Sequence, residues 1–306
     1  MTKITKKILI VRNDKIGDFV LILPAVASLK NNIPNSKIVC LVSESVKELA
    51  EQCTFIDEVI VDTNNKELFS KLGKYDFDIS VTFFSTFRIG YLLKKLNIPL
   101  RLAPKTKLAQ IFYNHKILQK RSRSRKPEYE YNIDLIYELF KIINLENIKE
   151  MDLGPYLKYD YELVTKNRIK FISEYNLNKD KKIIFLHPGT GGSSKGLSLN
   201  CYADICKGLR KFDDYNFIIH CSIDEEQFAK DLKLMIYKEV TVRVIEPKKS
   251  VLHMFNNISI CDLLIAGSTG PLHIAGALNK KTIGFYPEKK SSTSLRWQTI
   301  NNFENK

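Results

Sequence analysis

The chain has 306 residues and a formal net charge of +14, from 48 Lys and Arg residues against 34 Asp and Glu residues. Hydrophobic residues make up 44% of it and aromatic residues 10%, which excludes a disordered or fibrous protein. The longest apolar run, residues 19–27, is too short to span a membrane, and no secretory signal is recognisable, so we expect a cytosolic protein. The excess of positive charge predicts an anionic partner, which nucleic acid, a membrane surface and a phosphorylated metabolite would all satisfy.

The first half of the chain alternates short β-rich runs with helix-like stretches. The sequence predicts strands at residues 7–11, 37–42, 58–61 and 78–84, and helices at residues 18–31 and 44–52. Strands separated by helical stretches are typical of βαβ units, so we expect a parallel sheet. Residues 91–145 are predicted to be mostly helical and polar.

The second half also alternates predicted strands and helices, after a break at the Gly-Pro step of residues 154–155. The sequence predicts a helix at residues 161–175 and strands at residues 182–186, 216–221, 240–245, 262–266 and 282–286. The two halves are alike in kind and show no sequence repeat. We therefore predict two α/β domains, residues 1–155 and 156–306.

The first segment that could carry chemistry is RNDKIGDFVLILP, residues 12–24, which follows the first predicted strand and opens a helix. Gly17 permits a tight turn, and Asp18 falls where a helix cap or a first-turn acid would lie. One interpretation is that Asp18 only caps the helix. The other is a carboxylate at the carboxyl edge of a parallel sheet, where ligands bind, placed to take a proton from a substrate hydroxyl.

The second segment is HPGTGGSSKGLS, residues 187–198, directly after a predicted strand. Its glycines and serines would offer backbone N–H groups and hydroxyls to phosphate oxygens, and Lys195 would add a positive charge. The alternatives are a plain flexible loop and, from a formal GxSxG match at Ser194, a hydrolase nucleophile. A nucleophilic serine needs to follow its strand directly, whereas Pro188 and a glycine-rich stretch intervene here, so we favour the phosphate site.

The third segment is AGSTGPLHIAGA, residues 266–277, in which a strand runs into a turn and a helix starts near Pro271. Because proline in the first turn is a helix-start signal, Ser268 and Thr269 are expected at a helix N-terminus, where anions bind. His273 lies in the first turn of this helix. It is either a packed, hydrogen-bonded side chain or a catalytic group.

Positive charge is concentrated in residues 101–126, which contain nine Lys and Arg residues and no Asp or Glu. One interpretation is a solvated face, and the other is a patch that binds an anionic surface. Nucleic acid is the less favoured partner because no zinc-finger, RNP-like or helix-turn-helix signature accompanies the stretch.

Asp76 and Asp78 form a DxD triplet, the metal-binding signature of one class of nucleotide-sugar enzymes. The triplet opens a predicted strand, in which alternation would aim both carboxylates to one face. Such triplets also occur by chance, and no Cys/His ligand spacing indicates a metal site elsewhere.

Taken together, the three segments resemble the ADP-heptose:lipopolysaccharide heptosyltransferase family, the inverting glycosyltransferases of family 9. The family pattern R-x-x-x-I-G-D-h-h-h-x-x-P, where h is apolar, is matched by residues 12–24. A strand followed by HPG and a downstream lysine is matched by residues 187–189 and Lys195. A helix start with D/S-T/S-G-P-x-H-x-A-x-A is matched by residues 268–277. The three marks occur in order and span nearly the whole chain.

The resemblance implies a GT-B architecture, in which two Rossmann-like domains with parallel sheets face each other across a cleft. The N-terminal domain would bind the acceptor and the C-terminal domain the nucleotide-sugar. Asp18 would deprotonate the acceptor hydroxyl, and Lys195 would stabilise the developing charge of the diphosphate. The donor-binding residues implied in this way are Gly189, Thr190, Ser268, Thr269, Gly270, Pro271 and His273, with Glu225 or Glu226 at the ribose. Transfer would invert the anomeric centre and need no metal ion and no cofactor besides the nucleotide-sugar, an ADP-heptose.

The leading hypothesis is transfer of a heptose, or a related sugar, to a lipopolysaccharide core at the inner membrane face. The core carries phosphates and carboxylates, and basic side chains would bind it or the anionic leaflet. The residues expected to do so are Arg12, Lys120, Arg121, Arg123 and Arg125. We therefore expect a cytoplasmic protein that is peripheral to the inner membrane and has no nucleic-acid partner.

Two other hypotheses stay open at this point. One is a metal-dependent transferase that uses Asp76 and Asp78. The other is a non-catalytic protein that binds nucleotides or polyanions on a degenerate transferase scaffold. The chain ends soon after Trp297, where family members usually run on, so we expect a C-terminal helix to be missing or truncated.

Overall fold

The computed structural model describes residues 6–105, 108–150, 154–191 and 196–306. The chain divides into two compact units, Met1–Lys158 and Tyr159–Lys306. Each unit is built on its own parallel sheet and has its own apolar core.

The first unit contains a six-stranded parallel sheet with the order β3-β2-β1-β4-β5-β6. Its strands are β1 Lys7–Arg12, β2 Lys37–Val42, β3 Glu58–Val61, β4 Ile79–Thr82, β5 Leu100–Pro104 and β6 His115–Ile117. Its helices are α1 Ile16–Val20, α2 Leu23–Asn32, α3 Lys47–Ala50, α4 Lys66–Gly73, α5 Phe87–Lys95 and α6 Glu128–Ile142, with 3₁₀ turns at Glu44–Val46, Leu108–Phe112 and Arg121–Arg123. Residues 8–11 of the central strand β1 are fully buried, as a continuous apolar run predicts for a parallel strand covered on both faces.

The predicted helix at residues 18–31 is two helices in the structure, α1 and α2. Leu21 and Ile22 separate them, and Pro24 lies in the first turn of α2. Proline is tolerated there because the first N–H groups of a helix have no intrahelical acceptor. One apolar run therefore contains a helix end and a helix start.

The prediction that residues 91–145 are mostly helical is wrong, because β5 and β6 lie within that stretch. Both strands lie near one edge of the sheet. Their sequences, LRLAP and HKI, are short and contain basic residues. Neither shows the apolar run or the alternation by which a strand is recognised.

The second unit contains a five-stranded parallel sheet with the order β11-β10-β7-β8-β9. Its strands are β7 Ile183–His187, β8 Asn216–Ile219, β9 Val242–Val244, β10 Leu263–Gly267 and β11 Lys281–Phe285. Its helices are α7 Tyr161–Glu174, α8 Leu199–Arg210, α9 Glu226–Ile236, α10 Val251–Ser259, α11 Gly270–Ala277 and α12 Ser294–Trp297, with 3₁₀ turns at Ile223–Glu225 and Phe303–Asn305. All five strands coincide with predicted ones to within two residues at each end.

Both sheets are doubly wound, with the first strand of each unit inside the sheet. The winding direction reverses between β1 and β4 in the first sheet and between β7 and β10 in the second. Loops that leave the carboxyl ends of such strands diverge and open the crevice in which this class of fold binds ligands. The three sequence segments follow β1, β7 and β10, so all of them lie at these switch points.

No helix in the described part of the chain is long and apolar enough to cross a membrane. The six cysteines are free thiols, of which five are buried and Cys201, in α8, is exposed.

Candidate active site

A buried arginine organises the switch point of the first sheet. Arg12 is the last residue of β1, and only 4% of its side chain is exposed. Its Nη1 donates to the carbonyl oxygen of Phe83, just beyond β4, at 3.3 Å. Its Nε lies 2.8 Å from Oδ1 of Asp14, and its Nη2 donates to Oδ1 of Asp18. One guanidinium therefore joins the two central strands and faces two carboxylates.

The two carboxylates differ in their surroundings. Burial raises the pKa of Asp14 from 3.8 to about 6, and the neighbouring Asp18 raises it too, whereas Arg12 opposes the shift. Asp18 lies in the first turn of α1, with 20% of its side chain exposed. It is therefore oriented by Arg12 and still reachable from solvent. A carboxylate held in this way can accept a proton from a bound hydroxyl.

The neighbouring loops are fastened to this cluster by polar contacts. Asn13 donates to Asp62, which follows β3, and Arg88 of α5 donates to the same carboxylate oxygen. Ser43, which follows β2, donates from Oγ to the carbonyl oxygen of Asp14 at 2.8 Å. The loops after the first four strands are thus connected along the carboxyl edge of the sheet.

In the second unit, two histidines fix the loops after β7 and β8. His187 ends β7 and His220 follows the adjacent strand β8, and both are buried. Their Nδ1 atoms are 3.2 Å apart, and Nδ1 of His187 lies 3.0 Å from the carbonyl oxygen of His220. Burial lowers both pKa values, that of His220 to about 3, so the pair is neutral. The hydroxyl of Tyr202 donates to the carbonyl oxygen of His187 at 3.0 Å.

The loop after β7 binds a carboxylate through its backbone. Glu225 Oε1 accepts from the N–H groups of Thr190 at 2.7 Å and Gly191 at 2.8 Å, and its Oε2 accepts from Ser222 Oγ at 2.7 Å. Burial would raise the pKa of Glu225, but these three donors lower it overall, so the group is anionic. A Cβ at Gly189 would lie 1.9 Å from Oε2 of Glu225, so any other residue there would displace this carboxylate from the loop. These N–H groups thus form an anion-binding cradle.

The structure separates the two glutamates that the sequence left as alternatives. Glu225 faces the loop after β7, as described above. Glu226 begins α9 and pairs with Lys230 at 2.8 Å, one turn along the same helix.

The helix start after β10 is the second anion-binding feature of this edge. Thr269 is the N-cap of α11, but its hydroxyl donates back to the carbonyl oxygen of Gly267 at 3.1 Å and does not cap the helix. Ser268 connects the two elements, and its N–H donates to Phe285. His273 is buried, and its Nδ1 has no hydrogen-bond partner among the described residues. Burial lowers its pKa to about 4, so it is neutral near pH 7.

The predicted basic residues differ in what surrounds them. Arg121 donates to Gln119 Oε1 from Nε at 2.9 Å and from Nη2 at 2.7 Å, and its Nη1 pairs with Glu128. Lys120, Arg123 and Arg125 are exposed. Arg12 is buried with its two carboxylates, as described above.

The structure places the DxD triplet away from the switch point. The strand predicted from residue 78 begins at Ile79, and Asp76 has a left-handed backbone conformation with φ of 51°, so the expected alternation is wrong. Asp78 Oδ2 accepts from the N–H of Lys7 at 2.8 Å, at the amino edge of the sheet and opposite to Asp18. No group of three or more His, Cys, Asp or Glu residues in the described ranges could hold a metal ion. The predicted residues Ser194 and Lys195 lie outside the described residues.

Sequence reasoning missed Asp14, the His187–His220 pair and Ser222. A signal existed for the histidines, since His187 follows one predicted strand, His220 lies near the end of the next, and adjacent parallel strands end at one edge. Asp14 lies in the first segment, but nothing in its spacing shows that it would share an arginine with Asp18.

Two units, each built on a doubly wound parallel sheet with polar side chains at its switch point, match the GT-B class of fold. The chain belongs to glycosyltransferase family 9 (heptosyltransferase), whose model matches residues 66–302. The resemblance expected from the sequence and the GT-B fold of two Rossmann-like domains are thus confirmed, and the protein is a glycosyltransferase.

Individual relatives agree with this assignment. A protein of Haemophilus influenzae, provisionally described as a glycosyltransferase, is 40% identical over 305 residues, which cover 98% of this chain and 87% of the relative. A lipooligosaccharide heptosyltransferase 2 of Campylobacter jejuni is 26% identical over 297 residues, covering 94% and 83%. The structure of the Escherichia coli ADP-heptose lps heptosyltransferase II superposes with a TM-score of 0.77 at 16% identity, covering 97% of this chain and 88% of that one.

Proposed function

We propose that the protein transfers a heptose, or a related sugar, from an ADP-sugar to a lipopolysaccharide core acceptor, with inversion and without a metal ion. The observation that carries the proposal is Asp18, a partly exposed carboxylate held by buried Arg12 at the switch point of the first sheet. The names of the C. jejuni and E. coli relatives support the sugar and the acceptor class.

The chemistry is a single displacement. Asp18 takes the proton of the acceptor hydroxyl, whose oxygen attacks the anomeric carbon of the donor. The new carbon–oxygen bond forms as the bond to the diphosphate breaks, so ADP leaves with the electron pair and the configuration inverts. The proton stays on the carboxyl group of Asp18, where Arg12 also donates.

The second unit supplies the groups for the leaving diphosphate. The uncapped start of α11 and the N–H groups of Thr190 and Gly191 suit phosphate oxygens, and Lys195 would add charge. Because Glu225 binds the same N–H groups, a diphosphate oxygen at this place releases its carboxylate. The freed carboxylate can then accept from the ribose hydroxyls, which is the role that the resemblance implies.

The binding of the acceptor to the first unit is proposed from the positive charge of its exposed side chains. A phosphorylated lipopolysaccharide core would meet the exposed cations Lys120, Arg123 and Arg125 of the first unit. The protein would then work at the cytoplasmic face of the inner membrane as a peripheral protein.

The test is the isosteric substitution Asp18→Asn, assayed with ADP-heptose and a lipopolysaccharide core acceptor. Loss of a general base should reduce kcat by roughly 10²- to 10⁴-fold, while the affinity for ADP, measured by calorimetry, stays as in the wild type. The matched control is Asp76→Asn at the opposite edge, which should keep wild-type turnover. Normal turnover of Asp18→Asn would contradict the assignment of the base.

Two further readouts address the finer parts of the proposal. Transfer should continue in excess EDTA, and NMR of the product should show the inverted anomer. A panel of ADP-, UDP- and GDP-sugars identifies the donor, and preference for a UDP- or GDP-sugar would show that the proposed donor is wrong.

A further inference from the structure

The first unit exposes a group of large apolar side chains on two adjoining elements. Phe87 and Tyr91 lie one turn apart on α5, and Leu108 and Ile111 lie three residues apart on the 3₁₀ turn Leu108–Phe112. Residues three apart in a 3₁₀ helix share a face, as do residues four apart in an α-helix. All four side chains are between 55% and 79% exposed. We call these four residues the α5 patch.

The α5 patch is supported by a buried aromatic ring. The ring of Phe112 is buried beneath it, with its centroid 4.8 Å from that of Phe87 and 6.0 Å from that of Tyr91, both edge-on. A Cβ at Gly90 would lie 2.7 Å from Cδ2 of Phe112, so α5 and the 3₁₀ turn are in close contact. The two elements that carry the α5 patch are therefore held against each other by packing around Phe112.

The stretch of sequence that carries the α5 patch has no acidic residue. Residues 79–127 contain no Asp or Glu and twelve Lys and Arg residues, at positions 88, 94, 95, 101, 105, 107, 116, 120, 121, 123, 125 and 126. Lys94 follows Tyr91 by about one turn of α5, and Lys105 directly follows β5. Lys94, Lys105 and Lys116 are exposed, and none of them has an ion pair within the described ranges.

We propose that the α5 patch and these lysines bind the surface of an anionic lipid bilayer. Aromatic and aliphatic side chains on a rigid base can enter the boundary between headgroups and acyl chains, and lysines beside them bind lipid phosphates. This inference deepens the proposed function and rests on it only for the acceptor, which would be anchored in the same bilayer.

Other occupants fit this surface less well. A second copy of the chain docked on the same patch would bring two cationic segments together, which is unfavourable. Single-stranded nucleic acid binds such surfaces by stacking bases on aromatic rings. The two most exposed members of the patch, Leu108 and Ile111, have no ring on which a base could stack.

The experiment uses the full chain and sedimentation with vesicles of phosphatidylcholine, with and without 30% phosphatidylglycerol. The wild type should bind only the anionic vesicles, and the double substitution L108S/I111S should weaken this binding at least tenfold. The matched control is F212S/L234S, which changes two equally exposed apolar residues of the second unit and should bind like the wild type. Replacing Lys94, Lys105 and Lys116 by Gln should also weaken binding and reduce its dependence on salt.

A second measurement avoids dependence on the folding of the double variant. The chain has one tryptophan, Trp297, in the second unit. With Trp297 replaced by Phe, a tryptophan introduced by Leu108→Trp should be quenched by brominated lipids, whereas one introduced by Phe212→Trp should not.

Three outcomes would overturn the inference: no binding of the wild type to anionic vesicles, equal binding of L108S/I111S, or equal quenching at both tryptophan positions. A wild-type dimer that L108S/I111S converts to a monomer would assign the patch to a subunit interface instead, and loss of oligonucleotide binding alone would assign it to nucleic acid. Asp18→Asn should bind vesicles normally, so a failure here is distinct from a failure of the proposed reaction.

Discussion

The most consequential single residue is Arg12, because one buried guanidinium faces two carboxylates. If both were ionised, the three groups would carry a net charge of −1 in a poorly solvated place. Burial raises the pKa of Asp14 to about 6, so this carboxyl group takes up a proton more readily than an exposed aspartate. While Asp14 is ionised, its carboxylate shares the positive charge of Arg12 with Asp18, and protonation of Asp14 ends that sharing.

The first prediction at this scale concerns Asp14→Asn. The amide carries no charge, so Arg12 faces the carboxylate of Asp18 alone and opposes the transfer of a proton to it. We expect kcat to fall roughly three- to tenfold with an unchanged KM for the donor. The wild-type rate should fall as the pH drops below about 6, where Asp14 takes up a proton, and this acid limb should be lost in the variant, which has no carboxyl group at that position.

The pH–rate profile distinguishes this role from a structural one. A variant that is only less stable would lose activity without moving the acid limb. An unchanged limb and an unchanged kcat in Asp14→Asn would show that Asp14 has no influence on the base.

At the scale of the element, close packing around α11 holds the helix whose N-terminus faces the proposed diphosphate. Gly276 lies in α11, and a Cβ there would be 2.6 Å from Cβ of Thr299 in the C-terminal segment. That segment is tied down further, because Asn301 donates to the carbonyl oxygen of Lys280 at 3.0 Å. The end of the chain thus packs against the back of the helix.

Gly276→Ala should therefore destabilise the protein by about 1–3 kcal/mol, because either α11 or the C-terminal segment must shift. The matched control is Gly208→Ala in α8, where a Cβ would meet no described atom within 4 Å. Alanine in that helix should stabilise by about 0.5–1 kcal/mol. Urea unfolding of both variants measures the difference, and equal stabilities would contradict the packing described here.

Some elements of the fold could be predicted from the sequence, and others could not. The apolar run of β1 and the glycine-containing segments after β7 and β10 could be recognised from the sequence, because each is a local pattern. β5 and β6 could not be predicted, because their short, partly basic sequences show no alternation of apolar and polar residues. Glu225 and Glu226 are adjacent and chemically identical, so the sequence cannot show which of them faces the loop after β7. That depends on the orientation of the first turn of α9. Nor can spacing show that Asp14 shares Arg12 with Asp18.

At the scale of the whole molecule, the acid-free stretch and the candidate phosphate-binding groups lie in different units. The acid-free residues 79–127 contribute twelve positive charges to a chain whose net charge is +14, and they all lie in the first unit. An anionic acceptor or surface should therefore be attracted to the first unit. The N–H groups that suit a diphosphate lie in the second unit, on the loop after β7 and at the start of α11.

The last prediction tests this division by hydrogen exchange with and without ADP. Bound nucleotide stabilises the native form of the groups it contacts, so amides in residues 188–191, 220–226 and 268–273 should exchange more slowly. Residues 12–20, around Asp18, should be unaffected by ADP and should respond instead to an acceptor analogue. Protection by ADP of residues 12–20, with none in the second unit, would place the nucleotide on the first sheet and reverse the proposed roles. Glu225→Gln is an informative variant here, since a neutral side chain binds the N–H groups of Thr190 and Gly191 more weakly, so these two amides should exchange faster than in the wild type when ADP is absent.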